Sequence, residues 1–264
     1  MPLTIDKKNF DIKQFTNPIK DLQDNLSYRM TIKAEGLRLA KLYTEAVKTY
    51  LNSLIIDRKN ILAYLGLGKA YKSLEKYDKA LKAFEKAKEL DYFNSEIYYE
   101  IGICNNILGD PIEAIKNFQH TIKLDDTNLN AQIQLAVAHE LIGEYEMAIN
   151  IYQKIIEEEP YFIPAYNYKA TLYLNLADYK NAAKEFKNIL KVNPNYHNAY
   201  LGIGICFDRL KKVFYAIRYY KKFLEIKPKS YNVFNVKQRL SLIRKEIEPK
   251  AHSLKLFKKK FNKK

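Results

Sequence analysis

Between Asn60 and Asn94 the apolar positions take up a helical spacing twice. Tyr64, Leu67, Gly68 and Tyr71 fall three, four and seven residues apart and share one helical face. Ala80, Phe84 and Ala87 do the same on a second segment, and the stretch around Glu75 and Lys76 leaves room only for a tight turn. The pattern predicts an antiparallel helix pair with bulky and small groups alternating across the contact. Gly68 and Ala80 let the backbones approach, while Tyr64, Tyr71 and Phe84 fill the surrounding space. One such pair cannot cover its own apolar faces, so it needs copies on either side.

The copies recur every 34 residues without insertion. The Ala80 position returns as Ala46, Ala114, Ala148, Ala182 and Ala216. The Phe84 position returns as Tyr50, Phe118, Tyr152, Phe186 and Tyr220, aromatic each time. The Gly68 position returns as Ala34, Gly102, Ala136, Ala170 and Gly204, small each time. Six units are expected, at 27–60, 61–94, 95–128, 129–162, 163–196 and 197–230. The series resembles the tetratricopeptide repeat family, whose pattern is an aromatic, then Leu-Gly, Tyr, Ala, Phe and a closing Pro. It departs from that pattern in lacking Trp, in placing Met30 and Gln132 at the first aromatic position, and in closing with proline only at Pro160, Pro194 and Pro228. The resemblance covers about three quarters of the chain and implies an all-α fold, a right-handed α-solenoid of helix-turn-helix units. Tyr77, Tyr145, Tyr179 and Pro111 are expected to open second helices.

The flanks do not carry the repeat. Residues 1–26 form either a short helix, capped by Asn17 with Pro18 in its first turn and Ile19, Leu22 and Leu26 packed inward, or a partly disordered arm. Residues 231–248 predict a capping helix started by Ser230, with Val233, Val236, Leu240, Ile243 and Ile247 as its apolar stripe. Glu248-Pro249 should end it, leaving 249–264 as a basic tail.

Charge changes the picture more than composition does. Of the net +15, none accumulates through Tyr196, where 26 basic residues balance 26 acidic ones. From His197 onward 19 basic residues face 4 acidic ones, whereas 95–162 holds 3 basic against 12 acidic. The opening residues lack an apolar signal core, and no apolar run is long enough to span a bilayer, so the cytoplasm is the expected location. Cys104 and Cys206 lie three repeats apart, which argues for two buried thiols and against a disulfide.

No active-site pattern is present, and the chain reads as a non-enzyme with no cofactor, metal or small-molecule substrate. His120, His139, His197 and His252 are dispersed with no partner at metal-ligand spacing, and no phosphate loop, nucleophile elbow or HExxH segment occurs. His139 stands where sister units have Tyr71 and Tyr173, so it is expected to pack.

The resemblance implies that first helices line a concave groove and hold a peptide or helix of another protein. Carried over position by position, it names Leu65, Lys69, Tyr99, Ile103, Asn106, Asn130, Ile133, Val137, Asn167, Thr171 and Leu201. Tyr99, Ile103, Ile133 and Val137 should form an apolar ledge, with Glu96, Glu100 and Glu140 adding negative charge suited to a partner with basic residues. The carboxylate-gripping set of co-chaperone members is not matched: the successive sites hold Leu65 and Lys69, then Glu100, then Asn130 and Gln134.

The basic end leaves three readings open. Leu254, Phe257 and Phe261 among lysines suit an anionic membrane surface. Arg209, Lys211, Lys212, Arg218, Lys221 and Lys222, joined by Lys258, Lys259 and Lys260, suit RNA or DNA phosphates. A disordered, solubilising tail needs no partner.

Overall fold

The computed structural model describes residues 26–226 and 229–261, with side chains through 246. Among them are thirteen helices and no strand. They are α1 (Leu26–Leu39), α2 (Tyr43–Ile56), α3 (Ile61–Ser73), α4 (Tyr77–Leu90), α5 (Ser95–Leu108), α6 (Pro111–Leu124) and α7 (Leu129–Leu141), then α8 (Tyr145–Glu158), α9 (Ile163–Asn175), α10 (Tyr179–Val192), α11 (His197–Arg209), α12 (Val213–Ile226) and α13 (Asn232–Phe261). The expected arm helix around Asn17 and Pro18 lies outside the described residues, as does Pro228.

The chain divides into two compact units, one ending at Gly143 and one beginning at Glu144. The boundary falls between the two helices expected at 129–162. In the first unit α1 packs on α2, α3 on α4 and α5 on α6, and each pair also packs on its successor, ending with α7 on α6. In the second, α9 pairs with α10 and α11 with α12, while α8 packs on α9 and α13 on α12. Within each unit the result is an α-solenoid architecture, helix packed on successive helix.

The core consists of the positions that set the period. Ala46, Ala80, Ala114, Ala148, Ala182 and Ala216 are all fully buried, as are Tyr50, Phe84, Phe118 and Tyr152. Small residues admit the aromatic rings. A Cβ added to Gly102 would stand 2.6 Å from Phe118 Cε1, and one added to Gly204 would stand 2.6 Å from Tyr220 Cδ1.

The turns repeat as strictly as the core. Lys41, Glu75, Gly109, Gly143, Ala177 and Lys211 all have positive φ, at the 34-residue interval. Each closes a helix by leaving the right-handed region for one residue. The amide after it then reaches back across the last turn, as in Lys76 N–H to Tyr71 O at 2.9 Å and Lys212 N–H to Phe207 O at 2.8 Å. Entry to the next helix uses side-chain caps. Asn60 accepts from Ala63 N–H at 2.9 Å, Asn128 from Ala131 N–H at 3.0 Å and Asp110 from Glu113 N–H at 3.1 Å.

One expected boundary is wrong. α13 does not stop at Glu248-Pro249 but runs through the proline to Phe261. Proline has a helix-compatible φ, but it forfeits one backbone donor and crowds the carbonyl four residues back, at a cost of about 3 kcal/mol; the lysines and leucines beyond it favour helix. The segment 249–261 is therefore helical backbone and not a tail.

Candidate functional site

The groove residues named from sequence divide between the two units. In the first unit Tyr99, Ile103 and Asn106 lie along α5 at helical spacing, and Asn130, Ile133 and Val137 along α7, which touches α5. Tyr99, Ile103 and Val137 are half-buried. Tyr99 and Ile103 pack against the Ala114, Phe118 and Ala138 cluster, with the Tyr99 and Phe118 rings 6.0 Å apart. Their outer surfaces form an apolar wall. About one turn further along α5, Asn106 carries an amide whose Nδ2 and Oδ1 are both buried without a hydrogen-bond partner among the described residues. Asn130 is exposed at the edge.

Two of the expected groove anchors belong to the core instead. Ile133 is 2% exposed and Leu65 6%, the latter among Phe84, Ile97 and Ile101. A side chain at that depth has no surface to offer a ligand. The expected acidity is also largely neutralised. Lys69, itself expected in the groove, donates to Glu96 at 2.6 Å, and Lys72 pairs with Glu100, which is nearly buried. Sequence order hid both pairs because their partners are 27 and 28 residues apart, on α3 and α5.

In the second unit Asn167 is half-buried and Thr171 exposed, its hydroxyl donating to Asn167 O at 2.8 Å. Leu201 does line an opening. With Ile205, Tyr220, Asn232, Asn235, Val236 and Arg239 it encloses about 270 Å³ between α11, α12 and α13. A neighbouring cleft of about 650 Å³ shares Ile205, Tyr220 and Arg239 and adds Tyr179, Asp208, Arg209 and Lys211. Arg239 holds Asp208 through two bonds, 2.7 and 2.8 Å, and reaches Glu246 at 3.0 Å, while Tyr220 donates to Asp208 at 3.2 Å. These bonds hold the Asp208 carboxyl below the usual carboxylate range, and burial pushes the Tyr220 phenol up. The network ties α13 to α11 and α12. Nothing in the local pattern around Arg239 announced its partner Asp208, 31 residues away on α11.

The basic residues Arg209, Lys211, Lys212, Arg218, Lys221 and Lys222 are all exposed, and Lys222 is bonded to Glu225 at 3.2 Å. Lys258, Lys259 and Lys260 are on α13, beyond the described side chains. Both cysteines are free and buried, which pushes the Cys104 thiol up to about 11 and that of Cys206 to about 12. His139 is buried, and no group of three or more metal-ligating side chains is placed to hold a cation among the described residues. No described helix is long and apolar enough to cross a membrane.

Tetratricopeptide repeat family models match residues 61–91, 133–160 and 169–231. The chain is a tetratricopeptide repeat protein. Solved structures of similar fold agree. MamA superposes with a TM-score of 0.56 at 28% identity, over 61% of this chain and 94% of that one. PilW, described as a type IV pilus biogenesis factor, gives 0.68 at 21% identity, over 81% and 99%. YrrB gives 0.55 at 22% identity, over 70% and 95%. Curated protein sequences give no significant match.

Proposed function

We propose that this tetratricopeptide repeat protein is a non-catalytic interaction scaffold that holds an extended or helical segment of another protein across α5 and α7. The observation that carries the reading is the line of Tyr99, Ile103 and Val137, half-buried on adjoining helices, next to a buried Asn106 amide with no hydrogen-bond partner among the described residues. Apolar wall and unengaged amide together suit a peptide: side chains cover the wall, and main chain meets the amide once the neighbouring side chains part. YrrB, alike in fold, is described as having an unusual peptide-binding site; that supports the class of ligand by analogy of fold and nothing finer.

Magnitude limits the affinity. A fully buried aliphatic or aromatic anchor contributes roughly 1.5–3 kcal/mol, and a half-buried one about half of that. Three such anchors do not overcome an association cost of about 4–15 kcal/mol. The partner is therefore weakly held here, or is gripped along further surface.

The test is proximity crosslinking in the native cell with wild type and with Tyr99→Ala/Val137→Ser, each checked for an unchanged thermal midpoint. The double variant should lose a defined subset of partners. An identical partner set for both proteins removes the α5–α7 wall from the account.

A further inference from the structure

α10 carries a second pattern that the repeat does not require. Lys180, Lys184, Lys187 and Lys191 fall at successive spacings of four, three and four, one row along roughly 16 Å of helix. They form one side of a trough of about 320 Å³ whose other side is Phe207, Leu210 and Lys212, from α11 and the turn after it. Like charges a helical turn apart destabilise a helix. Within the fold the row makes only light contacts, Lys191 donating to Asn188 at 2.9 Å and Lys187 standing over Phe207, so most of its charge is available to a partner.

The trough's charge is uncompensated. Between 178 and 226 there are ten basic and four acidic residues. Each of the four acids is already engaged. Asp178 accepts from Asn181 N–H at 3.1 Å, Glu185 is buried against Lys169 at 3.3 Å, Asp208 is held by Arg239 at 2.7 Å, and Glu225 meets Lys222 at 3.2 Å. Counting along the chain placed the basic surplus after His197. Burial of Glu185 extends it back onto α10.

Aromatic rings accompany the lysines. Lys187 Nζ stands 5.4 Å from the centre of the Phe207 ring, which lies 5.2 Å from Tyr215 and 5.6 Å from Tyr219. Beside them Phe214 and Tyr215 are 78% and 55% exposed, among Lys211, Lys212 and Arg218.

We propose that this trough binds single-stranded nucleic acid, with its phosphates along the α10 lysines and its bases on the rings around Phe207. Lysine is a point charge on a flexible stem, suited to a backbone recognised by charge and not by bidentate geometry. Rings next to a cationic groove stack bases of any sequence. An acidic protein segment would use the lysines and leave the rings idle. A membrane surface is flat and does not enter a trough.

The test is fluorescence-anisotropy titration of a labelled oligouridine of about 12 nucleotides with the full chain. At about 50 and about 200 mM salt, five lysine–phosphate contacts at about −0.7 each give a slope of log K on log salt of at least about 3.5 in magnitude. Lys184→Ser/Lys187→Ser should reduce that magnitude by about 1.4 and weaken binding about tenfold at the lower salt. Lys184→Arg/Lys187→Arg should retain binding. Lys48→Ser/Lys82→Ser, which removes the same charge from exposed positions on α2 and α4, should change neither quantity. Lack of saturable binding at the lower salt overturns the proposal, as do equal effects from the α10 and control pairs. Displacement by polyglutamate or anionic vesicles at equal charge, or equally tight binding of a duplex, assigns the trough to another partner and overturns it as well.

Discussion

Gly102 lies beneath the ring of Phe118 with no room for a methyl group: a Cβ there would be 2.6 Å from Cε1. Gly36, also inside a helix, has nothing beyond its own helical turn within 4 Å of the corresponding point among the described residues. Both positions gain the same helix propensity on going to alanine, about 0.5–1 kcal/mol. Gly36→Ala should therefore stabilise by that amount. Gly102→Ala should destabilise by about 1–3 kcal/mol because Phe118, fully buried, cannot step aside without strain. Urea unfolding of both variants reads the difference; equal shifts would show that the close approach is not real.

The left-handed turn residues make a second pair. Ala177 has φ of 58° and is exposed, and Gly109 has φ of 87°. A side chain in that region costs roughly 1–2 kcal/mol. Ala177→Gly should raise the thermal midpoint, and Gly109→Ala should lower it, each by an amount corresponding to about 1 kcal/mol. Opposite signs from the two exchanges are the expected signature.

Lys169 and Glu185 form a buried ion pair, with side chains 7% and 8% exposed, and Lys169 also donates to Gln153 at 2.6 Å. Lys169→Ala leaves a buried carboxylate without its cation and should cost about 3–5 kcal/mol. Replacing both members, Lys169→Met with Glu185→Leu, should recover most of the loss, because the desolvation of two charges disappears with them. A double-mutant cycle by chemical denaturation measures the coupling directly.

Glu35 supplies a pH dependence with a definite sign. Arg38 donates to it at 2.9 Å through Nε and Tyr50 at 2.6 Å, and the guanidinium bonds hold the carboxyl at about 2 in place of 4.5. The folded form thus binds its proton less readily than the unfolded chain. Its contribution to stability is complete above about pH 4.5 and is lost as pH falls towards about 2. The stability gap between wild type and Glu35→Gln should be flat above that window and close within it. Urea midpoints at a series of pH values check this, and a gap that widens on acidification would reverse the assignment.

Much of the fold follows from the sequence itself, and the reason is local. Ala80, Phe84 and their counterparts at 34-residue steps specify which face of each helix is covered, since a helix places neighbours three and four residues away on one side. Pro111, Tyr145 and Tyr179 open their helices as that spacing requires. Only Gly109 and Gly143 announced the left-handed turns. Lys41, Glu75, Ala177 and Lys211 adopt the same φ because the packed helices on either side impose it, whatever the residue's own preference.

Pairing between helices was decided by tertiary structure alone. Whether Ile133 is an anchor or a core residue, and whether Lys69, Glu100 and Glu185 are free or neutralised, depends on what stands opposite, and opposite means about half a repeat away for Glu185 and most of a repeat for Lys69 and Glu100. Sequence spacing encodes the face a residue occupies on its own helix. Depth and charge compensation arise only where two such faces meet, so the surfaces available to a partner are a property of the assembled stack.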